Sequence, residues 1–149
     1  MHMEGQARQR MKATARRSDG TFRHSVQVRD HQVVVDEPLE SGGDDSGPDP
    51  QELLAVSLAS CTAITMEMYA VRKGWDIGHV EVEVQYSPAE RGCPTRFELV
   101  LRLPEDLPQD QLERLQVIAA KCPVHRALDG EVMFQERVEL VHLTSELGR

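Results

Sequence analysis

Between Asp49 and Trp75 the chain reads DPQELLAVSLASCTAITMEMYAVRKGW, a helical stretch with apolar residues on nearly every side. Its start carries three signals. Asp49 can cap the orphan amides, Pro50 suits the first helical position, and Glu52 stands three residues after Asp49 as in a capping box. Gly74 offers a stop after Lys73. Leu53, Leu54, Val56, Leu58, Ile64, Met66 and Met68 cover most of the circumference, the pattern of a central helix and not of a surface one. One small sheet face cannot cover such a helix. Either the sheet curls around it or a second copy of the chain supplies the missing cover. Aromatic residues make up only 4% of the 149 residues, so Leu, Val, Ala and Met must do the packing. That composition suits a core completed against a partner subunit.

The rest of the chain falls into short elements. Residues 1–10 are expected to be disordered or tag-derived, with 11–149 forming a single domain. Apolar residues from Phe22 to Val35 predict two short strands with a turn near Arg29–Asp30. Residues 40–50, ESGGDDSGPDP, read as a loop. Val80, Val82, Val84 and Tyr86 alternate, as do Phe97, Leu99, Leu101 and Leu103, which predicts a β-hairpin turning through SPAERGCPT. Residues 107–121 have helical spacing, and Pro123 breaks them off before a last helical piece closed by Gly130. Val132, Phe134, Val138 and Leu140 predict a final strand. The order is α+β: N-terminal strands, long central helix, β-hairpin, second helix with a short continuation, and a strand.

A net charge of −8 without a basic cluster argues against nucleic acid and anionic membranes as partners. No window reaches the roughly 18 uninterrupted apolar residues of a membrane span. No apolar signal core opens the chain, and three cysteines make no disulfide framework, so a reduced, cytoplasmic setting is expected.

The thiols carry the functional question. A cysteine in an apolar helix, such as Cys61, is most simply a core filler. Cys122 shifts the balance. It lies in KCPVHRAL immediately before Pro123, where one helix breaks and another first turn begins. A sulfur there can face the amides of the new turn, with His125 and Arg126 nearby, a setting that favours a thiolate. Cys93 falls in the hairpin turn and reads as dispensable. Cys122 and His125 make at most half a zinc site, with no second ligand pair at suitable spacing.

The blocks GG…GP.P.ELL…SLASC and CPV…AL, separated by a hairpin, resemble the OsmC/Ohr family from about Lys12 to Leu143. The resemblance implies an intertwined homodimer with the long helices at its centre and the active sites at the interface. It implies thiol-dependent reduction of organic hydroperoxides, without metal or organic cofactor, reset by a dithiol or a thioredoxin-like reductant. Carried over residue by residue, Cys61 is the peroxide-attacking thiol and Cys122 the resolving one. The family's supporting arginine falls best on Arg17, with Arg16 and Arg23 as alternatives. Its helix-start glutamate falls on Gln51, a neutral amide, with Glu52 about 100° further round the helix.

Overall fold

The computed structural model describes residues 10–142. They form two compact units, one over residues 10–50 with 139–142 and one over residues 51–138.

The first unit holds a three-stranded antiparallel sheet in the order β1 (Thr14–Arg17), β2 (His24–Val28) and β3 (His31–Val35). The turn between β2 and β3 falls where the sequence predicts it. Val28 pairs with His31 across Arg29, which takes the left-handed conformation at φ 51°. β1 was not foreseen, because TARR carries no apolar alternation. It forms by pairing with β2 from Thr14↔Gln27 to Arg17↔His24.

The acidic, glycine-rich loop that follows is built around a buried carboxylate. Asp36 is 2% exposed; its Oδ1 accepts from the Glu37 amide at 2.7 Å. Its Oδ2 accepts from the Ser46 amide at 3.1 Å and the Ser46 hydroxyl at 2.5 Å. Gly43 is required here, since a Cβ would collide with the carbonyl of Glu37; at Gly47 it would collide with that of Val34. The Ser46 hydroxyl, then the backbone amides of Glu37, Ser46 and Asp44, hold the Asp36 carboxyl below its ordinary 3.8 against the opposing effect of burial. A depressed carboxylate pKa contributes stability above the unfolded value, lost as pH falls through the folded one. The loop should therefore hold through neutral pH and loosen only below about pH 4. Hydrogen exchange at the Ser46 amide during an acid titration measures this, and Asp36→Asn should leave that amide poorly protected at every pH.

The second unit is organised by α1 (Pro50–Lys73), β4 (Glu81–Ser87), β5 (Arg96–Arg102), α2 (Gln109–Ala119) and α3 (Pro123–Asp129). α1 runs between the two boundaries read from the sequence, and Gly74 ends it at φ 70°. β4 and β5 form the expected hairpin, in register from Glu81↔Arg102 to Ser87↔Arg96. On its outer face Arg102 bridges Glu81 at 2.6 Å and Glu83 at 2.9 Å. Such exposed pairs are worth about 0–1 kcal/mol, so they tune register more than they hold the fold.

The core lies where α1 meets α2 and the loop after α1. Met66 and Leu115 are fully buried, packed with Tyr69, Ala70, Ile77 and Ala119. Tyr69 Oη accepts from Arg114 Nε at 2.9 Å, joining α1 to α2, and its ring meets Trp75 edge-on at 5.5 Å.

Within one chain α1 is not covered on all sides, the condition under which the sequence calls for a second copy. Leu58, Thr62, Met66, Tyr69 and Ala70 form its buried face, whereas Leu54, Val56, Ile64, Met68 and Val71 are exposed. One expectation is corrected: the final strand through Val132, Phe134, Val138 and Leu140 does not form, since neither sheet among the described residues includes residues 131–142. Alternation supplies a face, but a strand also needs a hydrogen-bonded neighbour. Phe134 is 85% and Leu140 94% exposed, so their apolar pattern is unused within one chain.

Candidate active site

The break between α2 and α3 is built as the Cys122–Pro123 step dictates. Proline has no amide hydrogen and fixes its φ, so it begins a helix well and cannot continue one. Cys122 is extended, with φ −65° and ψ 146°, and serves as the N-cap of α3. Its Sγ accepts from the His125 amide at 3.2 Å, and its carbonyl accepts from the Arg126 amide at 3.1 Å. The sulfur thus faces the first turn of α3, the arrangement expected from the sequence. Cys122 is also fully buried.

Against the same sulfur stands Thr62, whose Oγ1 lies 3.7 Å from Sγ across a sequence separation of 60 residues. Sequence reading did not select Thr62. The available signal was a β-branched hydroxyl next to Cys61, four residues from both Leu58 and Met66 and so on their helical face. Successive residues of an α-helix point about 100° apart. Thr62 belongs to the buried face, and half-buried Cys61 belongs to the stripe Leu54, Ser57, Cys61, Ile64, Met68, Val71, spaced by three and four residues. Of these two cysteines, Cys122 lies in the core and Cys61 on an uncovered apolar face.

A cavity of about 290 Å³ opens beside this region. Leu58, Phe97, Leu99 and Leu128 give it apolar walls, and Thr95, His125 and Asp129 give it a polar side. Leu58 lies one helical turn before Cys61, and His125 follows Cys122 on α3. The cavity has the usual character of a small-molecule site, mostly apolar with few polar groups.

Gln51 is exposed in the first turn of α1, about 15 Å along the axis from Cys61 at the helical rise. Arg17 belongs to the other unit. It is exposed at the end of β1, and its Nη2 donates to the Gly20 carbonyl at 3.2 Å. Arg16, on the same strand, is exposed and Arg23 half-buried. Cys93 is exposed in the hairpin turn, where its amide and carbonyl both pair with Glu90. Among the described residues no group of three or more His, Cys, Asp or Glu side chains could hold a metal ion.

Comparison with solved structures identifies this architecture. The chain is similar to the OsmC like protein from Mycoplasma pneumoniae, with a TM-score of 0.64 at 18% identity, covering 82% of this chain and 89% of that one. It is similar to the organic hydroperoxide resistance protein from Elizabethkingia anophelis, with a TM-score of 0.62 at 21% identity over 83% and 91% of the two chains. For the organic hydroperoxide resistance protein OhrB of Bacillus subtilis the TM-score is 0.55 at 23% identity, over 81% and 91%. These likenesses establish the fold. No curated protein matches the chain. The family model described as OsmC-like protein matches residues 43–137, which contain both the Cys61 and the Cys122 blocks, and the chain belongs to that family.

Proposed function

We propose that this protein reduces organic hydroperoxides by a two-thiol reaction in defence against peroxides, with Cys61 attacking and Cys122 resolving. The observation that carries the reading is the joint at Cys122. A fully buried thiol is held by the His125 amide and touches Thr62, the immediate neighbour of a second, half-buried thiol. Membership of the OsmC-like family and a fold shared with proteins named for hydroperoxide resistance support it.

The Cys61 thiolate attacks the terminal oxygen of the hydroperoxide and the O–O bond breaks. The alkoxide takes up a proton and leaves as the alcohol, and Cys61 becomes a sulfenic acid. The Cys122 thiolate then attacks the Cys61 sulfur. The S–O bond breaks, hydroxide leaves as water after protonation, and a disulfide remains. Two exchange steps with a dithiol or a thioredoxin-like reductant return both thiols, the reductant becoming the disulfide. The apolar walls of the cavity favour an alkyl or aryl hydroperoxide over hydrogen peroxide.

Arg17 is the cation assigned to steady the Cys61 thiolate and Gln51 its hydrogen-bond acceptor. Gln51 cannot reach Cys61 of its own chain across about 15 Å. Its role at a thiol therefore needs a second copy, and a homodimer working in the cytoplasm is part of the proposal. A second reading has its own support. The cavity could hold a small hydrophobic ligand without chemistry, and the neutral Gln51 weakens the charge pairing that catalysis would use.

Cumene hydroperoxide separates the two. Wild-type protein should consume one equivalent and lose two thiols, and should turn over only when dithiothreitol is supplied. Cys93→Ser should behave as wild type. Cys122→Ser should stop after one oxidation, with a sulfenic acid on Cys61 that dimedone labels. Binding of the hydroperoxide with no thiol loss would establish the non-catalytic reading.

A further inference from the structure

The chemistry proposed above leaves Thr62 without a role, yet its hydroxyl sits where a hydroxyl is least expected. Thr62 is fully buried on the core face of α1, between Leu58 and Met66, both of them buried. Valine would fill the same volume without a polar atom to desolvate. A buried hydroxyl is unfavourable unless it finds a partner. Ser57 and Ser60 of the same helix find theirs in the carbonyls of Leu54 and Val56. Among the described residues the partner of the Thr62 hydroxyl is the Cys122 sulfur alone.

Resting on the two-thiol reading, we infer that Thr62 is the positioning residue of the resolving thiol, its hydroxyl holding the Cys122 sulfur in place for attack on oxidised Cys61. The contact works in both protonation states, because either group can be the donor. As a thiol, Cys122 donates S–H to Thr62 Oγ1 while its sulfur accepts from the His125 amide. As a thiolate the sulfur only accepts, and Thr62 turns its proton towards it. The nucleophile then carries two donors, one from α1 and one from α3. When it attacks, its electron pair forms the S–S bond, hydroxide leaves Cys61, and both donors are released. Thr62 holds the resolving sulfur, so its influence falls on the second step and not the first.

Two isosteric arguments point in opposite directions, which makes the test decisive. Thr62→Val keeps the packing and removes the donor. Thr62→Ser keeps the donor and loses a methyl group. After one equivalent of cumene hydroperoxide, loss of the Cys61 thiol should proceed at the wild-type rate in both variants. Formation of the Cys61–Cys122 disulfide, followed by acid quench and mass spectrometry, should slow about tenfold in Thr62→Val, the scale of one hydrogen bond to a charged group. Thr62→Ser should restore it. Valine resolving as fast as threonine, or serine as slowly as valine, would overturn the inference.

An arm without peroxide reads the contact itself. With Cys61→Ser and Cys93→Ser, Cys122 is the sole thiol. Its infrared S–H band should be lowered in frequency or absent when Thr62 is kept or changed by Thr62→Ser, and should stand at the unbonded position in Thr62→Val. An identical band in all three would also overturn the inference. If wild-type protein forms no disulfide with peroxide although the band shifts as described, the two-thiol reading has failed and the resolving role fails with it, while the contact stands.

Discussion

Replacing Cys61 by serine should abolish peroxide turnover, by at least about a thousandfold, while the protein keeps its fold. Deleting a nucleophile acts on that scale, because serine in this setting has neither the soft sulfur nor an ionised form at neutral pH. The stability cost should be slight. Ser60, the preceding residue, donates to the Val56 carbonyl at 2.7 Å. A serine in place of Cys61 can bond back in the same way, so its hydroxyl need not be left unpaired. Loss of less than about 1 kcal/mol is expected. Thermal unfolding and cumene hydroperoxide consumption on one preparation test both halves. Turnover retained in Cys61→Ser would exclude it as nucleophile, and a collapse in stability would mark it as packing.

Placing a carboxylate on the uncovered stripe of α1, as in Met68→Asp, should convert a dimer into a monomer. Ile64, Met68 and Val71 are 52%, 63% and 79% exposed in one chain, continuing a three-and-four spacing that passes through Cys61. Each such side chain is worth about 1.5–3 kcal/mol when covered. In a symmetric pair Met68→Asp would remove two of them and bury two carboxylates, a loss of at least about 4 kcal/mol, or about a thousandfold in dissociation constant. Sedimentation at micromolar concentration should give a dimer for wild type and a monomer for the variant. α1 is also long and apolar enough, by length and composition, to cross a membrane. Flotation of the wild type with lipid vesicles would show that a bilayer, and not a second copy, covers the stripe. Since Cys61 shares that stripe, the monomeric variant should also lose most of its turnover.

What could be read from the sequence was whatever a local rule controls. The Asp49-Pro50 start and the Gly74 stop gave α1 its limits. Alternation gave the hairpin, and the proline after Cys122 gave both the break and the capping sulfur. Distant partners were hidden. β1 exists because β2 lies beside it, and TARR says nothing of that. The burial of Asp36 depends on Ser46, ten residues later, and no local pattern around Asp36 announces it. Thr62 was overlooked because its reason for being polar lies 60 residues away. The failed strand errs in the opposite sense. Its alternation from Val132 to Leu140 is genuine, but among the described residues no strand pairs with it.

The burial of Cys122 gives the molecule an internal gauge of its own opening. The three thiols differ in access: Cys93 is exposed, Cys61 half-buried, Cys122 fully enclosed where α2 ends and α3 begins. An alkylating reagent reaches the last of them only when that joint opens. If reclosing outpaces labelling, the ratio of the Cys122 rate to that of a free thiol is the opening constant itself. Opening that costs about 5 kcal/mol would slow Cys122 more than about a thousandfold relative to Cys93. Labelling over a range of denaturant would then tell whether the α2–α3 joint opens by itself or only when the whole unit unfolds.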